Sequence, residues 1–249
     1  MFDKFENRYI VKGTIVALKP IHIGKGQESM DPTEVDSPVI KDENGRPLIP
    51  GSSLKGVLRS FVERVLSSGA FEGYRSCLIV NDEPCVNGDY VKKLKDKYDK
   101  DYKKIAEEIY ERSCNVCRLF GSNNLAAKLT IKDLNSIDEK TFFDMRDGVG
   151  IDRDTGTAKD GKKYNYEITP SGTKFELYMT GDNLDDDDLE LLKLCLNVLK
   201  NGQISVGGMT SRGLGTIKLI DEKIYKVDKS NLKEYVSNGL SEEMRWNDV

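Results

Sequence analysis

Cys114 and Cys117 are separated by two residues, the spacing at which two thiolates chelate one ion, and Cys77 and Cys85 precede them in the same segment. Four thiolates suit a structural Zn2+ and leave no open position for a catalytic one. Free thiols in a polar insertion are the alternative. A second feature is SVGGMTSRGLGTIKL, Ser205 to Leu219, which places Gly207, Gly208 and Gly213 around Arg212. Glycine lets backbone amides approach a phosphate closely, and a guanidinium fork binds two phosphate oxygens. The loop follows a helical run and precedes a strand-like one, the reverse of the Walker and dinucleotide loops. A tight helix-to-strand connection is its plainer reading. Further cations gather as Lys55 with Arg59, and as Arg153 with Lys159, Lys162 and Lys163.

These groups need elements to position them. The strand-like runs are Tyr9 to Leu18, Lys128 to Leu134, Lys174 to Thr180 and Gly213 to Ile220. A helix begins at Pro50-Gly51-Ser52-Ser53 with serine as its cap, and its apolar face is Leu54, Val57, Leu58, Phe61, Val62, Val65 and Leu66. Lys55 and Arg59 share another face, so this helix can present both cations and its N-terminus to an anion. A second helix runs from about Leu184 to Lys200, capped by Asp182-Asn183. The expected class is α+β, a ferredoxin-like or RNA-recognition (RRM-like) βαββαβ core in a single domain spanning 1–249.

Three excursions interrupt it. Val39-Ile40 and Leu48-Ile49 flank a hairpin turn at Asp42-Glu43-Asn44-Gly45. Residues 71–118 read as an inserted helical subdomain carrying the cysteines, with one charged helix whose stripe is Val91, Leu94, Tyr98, Tyr102, Ile105 and Ile109, packed against the parent domain. Residues 145–168 are polar, with a turn at Asp160-Gly161.

The formal net charge of −4 means that polyanion binding must come from local patches, not from bulk charge. No apolar run approaches the roughly 20 residues of a membrane span, and the N-terminus lacks the apolar core of a secretory signal. The expectation is a cytoplasmic protein with no membrane partner, whose cysteines are not disulfides. Cys195 lies in a helical apolar run and reads as core.

The segments HIGKG (22–26), VDSPVIKD (35–42), LIPGSSLKGVLRS (48–60), RLFG (118–121), GIDRDTGTA (150–158) and GGMTSRGLG (207–215) resemble, in this order, RAMP-superfamily proteins of CRISPR–Cas systems. The match is closest to the repeated backbone subunit of type III effectors, the Csm/Cmr-type members of the Cas-seven family. The resemblance covers the chain apart from the cysteine-bearing insertion. It implies a filament of copies along a CRISPR guide RNA, in contact with other effector subunits and a target single-stranded RNA. It makes 145–168 a protruding β-hairpin thumb that displaces nucleotides of the guide–target duplex. Arg153, Lys159, Lys162 and Lys163 then suit phosphates, and Tyr164 and Tyr166 suit stacking on bases. Lys55, Arg59, Gly207, Gly208, Arg212 and Gly213 grip the guide backbone.

The same resemblance makes Asp36 the carboxylate of a divalent-metal-dependent (Mg2+) cleavage of target RNA, with Asp31, Glu34 and Asp42 near enough to share the ion. On residue type alone, Asp36 before Ser-Pro caps a turn. His22, the only histidine, is either an acid–base group of a stand-alone guide-processing endoribonuclease or a packing residue. A non-catalytic RNA-binding scaffold is the third reading. The fold alone selects none of these.

Overall fold

Tyr9, Val11, Ile15 and Ala17 recur at even spacing in the first strand and enter the main core, while Ile10 faces the other way onto Tyr225, Val227 and Met244. A strand that buries both faces lies in the middle of a sheet. In the computed structural model, which describes residues 3–26, 35–78, 84–99, 101–138 and 142–247, it does. The elements are β1 (Asn7–Ala17), β2 (Leu48–Ile49), α1 (Gly51–Leu66), α2 (Gly88–Lys97), α3 (Tyr102–Arg112), α4 (Asn115–Phe120), β3 (Leu129–Ile131), β4 (Leu134–Asn135), β5 (Asp144–Ile151), β6 (Ala158–Ile168), β7 (Lys174–Asp182), α5 (Asp186–Lys200), β8 (Ile204–Ser205), β9 (Thr216–Asp228) and α6 (Leu232–Asn238). The fold is mixed α and β. Its main sheet has the order β3-β7-β1-β9-β8, with every neighbouring pair antiparallel.

Helices α1 and α5 cover one face. Leu54, Leu58, Val62 and Leu66 of α1 and Leu191, Leu192, Cys195 and Leu196 of α5 enter the same cluster as β1. On the other face, Leu232, Tyr235 and Met244 pack over Ile10 and Tyr225. Residues 144–168 form a two-stranded hairpin, β5 with β6, separate from the main sheet.

Several local expectations change. The start of α1 is capped not by serine but by Asp133, whose carboxylate accepts from the Gly51 amide at 2.8 Å. A Cβ at Gly51 would stand 2.2 Å from the Ile131 carbonyl oxygen, so this helix end is packed against the chain and holds no room for an external anion. The long charged helix is two helices. Asp99 takes a left-handed φ of 43° and Asp101 caps α3, which breaks the run where the apolar spacing by itself continues. Their stripe packs mainly helix on helix, with Val86 and Leu125, and Tyr102 is exposed. Helix α5 starts at Asp186 behind an Asp185–Asp188 capping box, later than Asp182-Asn183 suggests. The hairpin turn is at 152–157, closed by Asp152, and Gly161 lies inside β6.

Lys128 ties the insertion to the core. It is 3% exposed, and its ammonium donates to Asp188, to Asp185 at 3.1 Å and to Tyr110 Oη at 2.8 Å. Burial pushes the Asp188 carboxyl up to about 6, against the pull of Lys128. Lys128→Ala leaves a carboxylate that is 3% exposed without its close counter-charge, which costs about 3–5 kcal/mol. A fall in Tm of roughly 10 °C is expected. Loss of Lys128 removes what holds that carboxyl down, so the variant's carboxyl titrates above the wild-type value of about 6; the deficit grows as pH rises above about 6 and levels off below it, where both proteins carry the neutral acid. Thermal melts from pH 5 to 8 check both size and sign.

Candidate functional site

Asp36 lies on an irregular segment that borrows its order from β6. Ser37 bridges to Tyr166 in parallel, and the Glu167 amide donates to the Ser37 carbonyl at 3.0 Å. The Asp36 amide donates to Asn165 Oδ1, and the Asn165 amide returns a bond to Asp36 Oδ2, both at 2.8 Å. Glu167 holds the next stretch, accepting from the Val39 amide at 3.1 Å and the Lys41 ammonium at 2.8 Å. Asp36 is exposed, and among the described residues its Oδ1 has no partner. One carboxylate oxygen of an exposed residue is thus pinned, and the other is left without a partner among the described residues.

Of the neighbouring acids, Asp31 and Glu34 lie outside the described residues. Asp42 is spent on its own turn, accepting from the Asn44 and Arg46 amides and the Arg46 guanidinium, which holds its carboxyl below the usual range. It is not available to share an ion with Asp36. Among the described residues the carboxylates form no cluster of three or more potential metal ligands.

His22 is buried beside this segment. Its Nδ1 lies 2.7 Å from the Glu167 carbonyl oxygen, which only accepts, so Nδ1 carries the proton. Nε2 then accepts from Ser37 Oγ at 3.3 Å in the neutral ring. Both ring nitrogens are engaged, which suits the packing role and not an acid–base role on an external substrate.

The glycine loop lies against His22. A Cβ at Gly207 would stand 2.3 Å from the His22 carbonyl oxygen, and one at Gly215 would stand 2.2 Å from that of Val206. These glycines make room for the chain itself. The Gly208, Arg212, Gly213 and Gly215 amides donate to the His22, Met209, Thr210 and Pro20 carbonyls. The backbone is therefore no open amide cradle at those positions. What the loop offers outward is Arg212, which donates to Tyr164 Oη at 2.6 Å and so ties loop to hairpin.

On the hairpin, Arg153, Lys159, Lys162 and Lys163 are all exposed. Lys163 pairs with Asp147 at 3.1 Å. Among the described residues the other three have no ion-pair partner. Tyr166 is buried against His22, with Tyr164 stacked on it and lying across Gly148. Both tyrosines build the foot of the hairpin; Tyr166 has no free face for a base.

Lys55 and Arg59 turn inward. Lys55 donates to the Leu129 carbonyl at 2.8 Å, and burial pushes its ammonium down. Arg59 donates to Glu63, to the Gly121 carbonyl at 2.7 Å and to Cys117 Sγ at 3.5 Å. Spacing shows that two cations share a face but not that interior acceptors stand opposite it.

The four cysteine sulfurs of Cys77, Cys85, Cys114 and Cys117 lie within 4.8 Å of one another. A Zn–S length of about 2.3 Å gives tetrahedral edges of about 3.8 Å. Cys77 Sγ stands 3.5 Å from Cys117 Sγ and 3.7 Å from Cys114 Sγ, so the set can hold a metal ion. Hydrogen bonding with Cys117 draws the Cys114 thiol down, and N–H groups of Cys114, Cys117 and Arg59 point at sulfurs of the set. Such donors stabilise thiolate charge.

The fold therefore gathers Asp36, His22, the glycine loop and the hairpin foot into one neighbourhood, and leaves Lys55, Arg59 and the cysteines beside α1 and α4. A cavity of about 1070 Å3 opens elsewhere, lined among others by Tyr102, Tyr110, Asn124 and Lys128. Sequence reading missed Asn165, Glu167 and Lys41. Their only signal was that Asn165 and Glu167, two apart on a strand, share a face.

The profile of the RAMP superfamily matches residues 14–218. Three curated proteins, each named CRISPR system Cms endoribonuclease Csm3, are similar over most of their length. That of Methanocaldococcus jannaschii is 28% identical over 88% of this chain and 81% of its own. The Methanothermobacter thermautotrophicus protein is 26% identical, covering 89% and 87%. The Enterococcus italicus protein is 26% identical, covering 89% and 96%.

Proposed function

Since the chain belongs to the RAMP superfamily, we propose that it is a guide-RNA-binding backbone subunit of a type III CRISPR complex that cuts guide-paired target RNA at Asp36 with a divalent ion. One observation carries this reading: an exposed carboxylate pinned at the foot of a projecting, cation-bearing hairpin. The names of the relatives as endoribonucleases support it.

The order β3-β7-β1-β9, with α1 and α5 on one face, supports reading the core as ferredoxin-like, the arrangement of RNA-recognition folds. The hairpin serves as the thumb. Its Arg153, Lys159, Lys162 and Lys163, with Arg212 at its foot, contact phosphates as exposed cations. Lys55 and Arg59 would first have to leave their interior acceptors, so they hold α1 in place rather than grip the guide.

Asp36 offers one free oxygen, and Mg2+ sites commonly pair one or two carboxylates with substrate phosphate oxygens. A bound Mg2+ would supply charge stabilisation on the target phosphate. The chain's own contribution is placement. Asp36 orients the reacting phosphate group, and the hairpin separates the target strand from a regular helix so that the ribose 2′-hydroxyl can align with it. The four cysteines hold a structural Zn2+. The working location is the cytoplasm, among other copies of this chain and other CRISPR subunits.

Purified complex is expected to contain a short guide RNA bound to several copies of this chain, and to cleave complementary RNA in Mg2+ but not in EDTA. A complex that holds guide and target yet leaves the target intact in Mg2+ would make the chain a scaffold only.

A further inference from the structure

Asp36 has no regular secondary structure to fix it, and the residues that do fix it belong to the hairpin. The bond pair with Asn165 closes a ring: the Asp36 amide donates to the Asn165 side chain, and the Asn165 amide donates to the Asp36 side chain, each at 2.8 Å. A carboxylate held through one oxygen and through its own amide has lost the pivot about its backbone that a lone loop residue keeps. Asn165 sits on β6 between Tyr164, which binds Arg212 of the glycine loop, and Tyr166, which bridges to Ser37. The hairpin therefore ties the Asp36 segment at successive residues of β6. The contact is half-buried at Asn165 and open at Asp36.

We propose that Asn165 is a positioning residue for the cleavage reaction, fixing Asp36 to the hairpin so that Oδ1 faces the target phosphate and its ion. This rests on the reading of Asp36 as the catalytic carboxylate. The side chain of Asn165, not its backbone amide, is the part a substitution can remove. Asn165→Ala keeps the bond to Oδ2 and loses the one that anchors the Asp36 amide. The carboxylate stays nearby but swings, and a displacement of about 1 Å at a reacting group can cost about 100-fold.

The test uses the assembled complex with its guide, complementary RNA and Mg2+, after confirming that each variant enters the complex in normal stoichiometry. In Asn165→Ala the single-turnover rate at saturating target is expected to fall about tenfold. The Mg2+ concentration for half-maximal rate should rise, while the Kd for target stays within about twofold of the wild-type value. The proposal is overturned by a wild-type rate and Mg2+ dependence in Asn165→Ala, or by a loss that follows target affinity alone. Asp36→Ala run alongside separates the two readings. If Asp36→Ala is inactive and Asn165→Ala is normal, only the positioning role falls. If Asp36→Ala cuts at the wild-type rate, the catalytic reading falls and this proposal with it.

Discussion

Asp36→Ala and Asp36→Asn should both slow cleavage of guide-paired RNA by on the order of 10²–10³-fold while the complex still binds guide and target. The two substitutions separate the chemical role from the structural one. The Asp36 carboxylate accepts from the Asn165 amide at 2.8 Å, and asparagine can keep that bond because its amide oxygen also accepts. If Asp36 only shapes the turn, Asp36→Asn should cut normally and Asp36→Ala should lose no more than the roughly 1 kcal/mol of an exposed hydrogen bond. If the negative charge is what matters, both variants lose activity alike, because a neutral oxygen is a poor ligand for a hard cation. The expected loss is on the order of 10²–10³-fold, that of one preorganised electrostatic group. Cleavage of labelled complementary RNA in Mg2+, with target affinity measured in parallel, reads both quantities. Normal cutting by Asp36→Asn would refute the metal-binding role.

Removal of the zinc proposed for the four cysteines is the second large effect expected. Cys114 caps α4, and both Cys114 and Cys117 are buried in the cluster that includes β1, α1 and α5. Metal removal therefore acts on the main core as well as on the insertion. Structural zinc contributes about 10–16 kcal/mol to isolated fingers. Here apolar packing shares the task, and about 5 kcal/mol is expected, a fall in Tm of roughly 10–20 °C. Protein purified without chelators should carry about one equivalent of zinc. Cys117→Ser should lower both zinc content and Tm. Cys195→Ala should leave zinc unchanged, because Cys195 is fully buried in α5 and is not one of the clustered four. Zinc content below about half an equivalent, with a melt unmoved by chelator, would argue against a metal in this cluster.

The readings of single elements from sequence succeeded where the signal is local. The even spacing of Tyr9, Val11, Ile15 and Ala17 marks one buried face of a strand, and Leu54, Leu58 and Val62 mark one face of a helix, because side-chain direction repeats with backbone geometry. The cysteine grouping was legible for a related reason. Two ligands with two residues between them stay together in any compact fold, and the other half had only to meet them.

Polar partnerships were not legible. Lys55 looks outward by spacing, yet the Leu129 carbonyl, 74 residues on, accepts its hydrogen bond. The α1 start looks serine-capped, yet Asp133 occupies it. Gly207 looks placed for a ligand, yet it makes room for the carbonyl of His22. In each case the residue type states which bond is needed, and only the folded chain decides which atom meets it. Asp36 shows the same division. By itself the sequence determined that an acidic residue stands on a loop before Ser-Pro, that four thiols are grouped, and that strands and helices alternate in a mixed fold. The tertiary structure decided that the hairpin holds Asp36, through Asn165, 129 residues away. Hydrogen bonds act over about 3 Å, and sequence distance carries no information about which groups that short range will join.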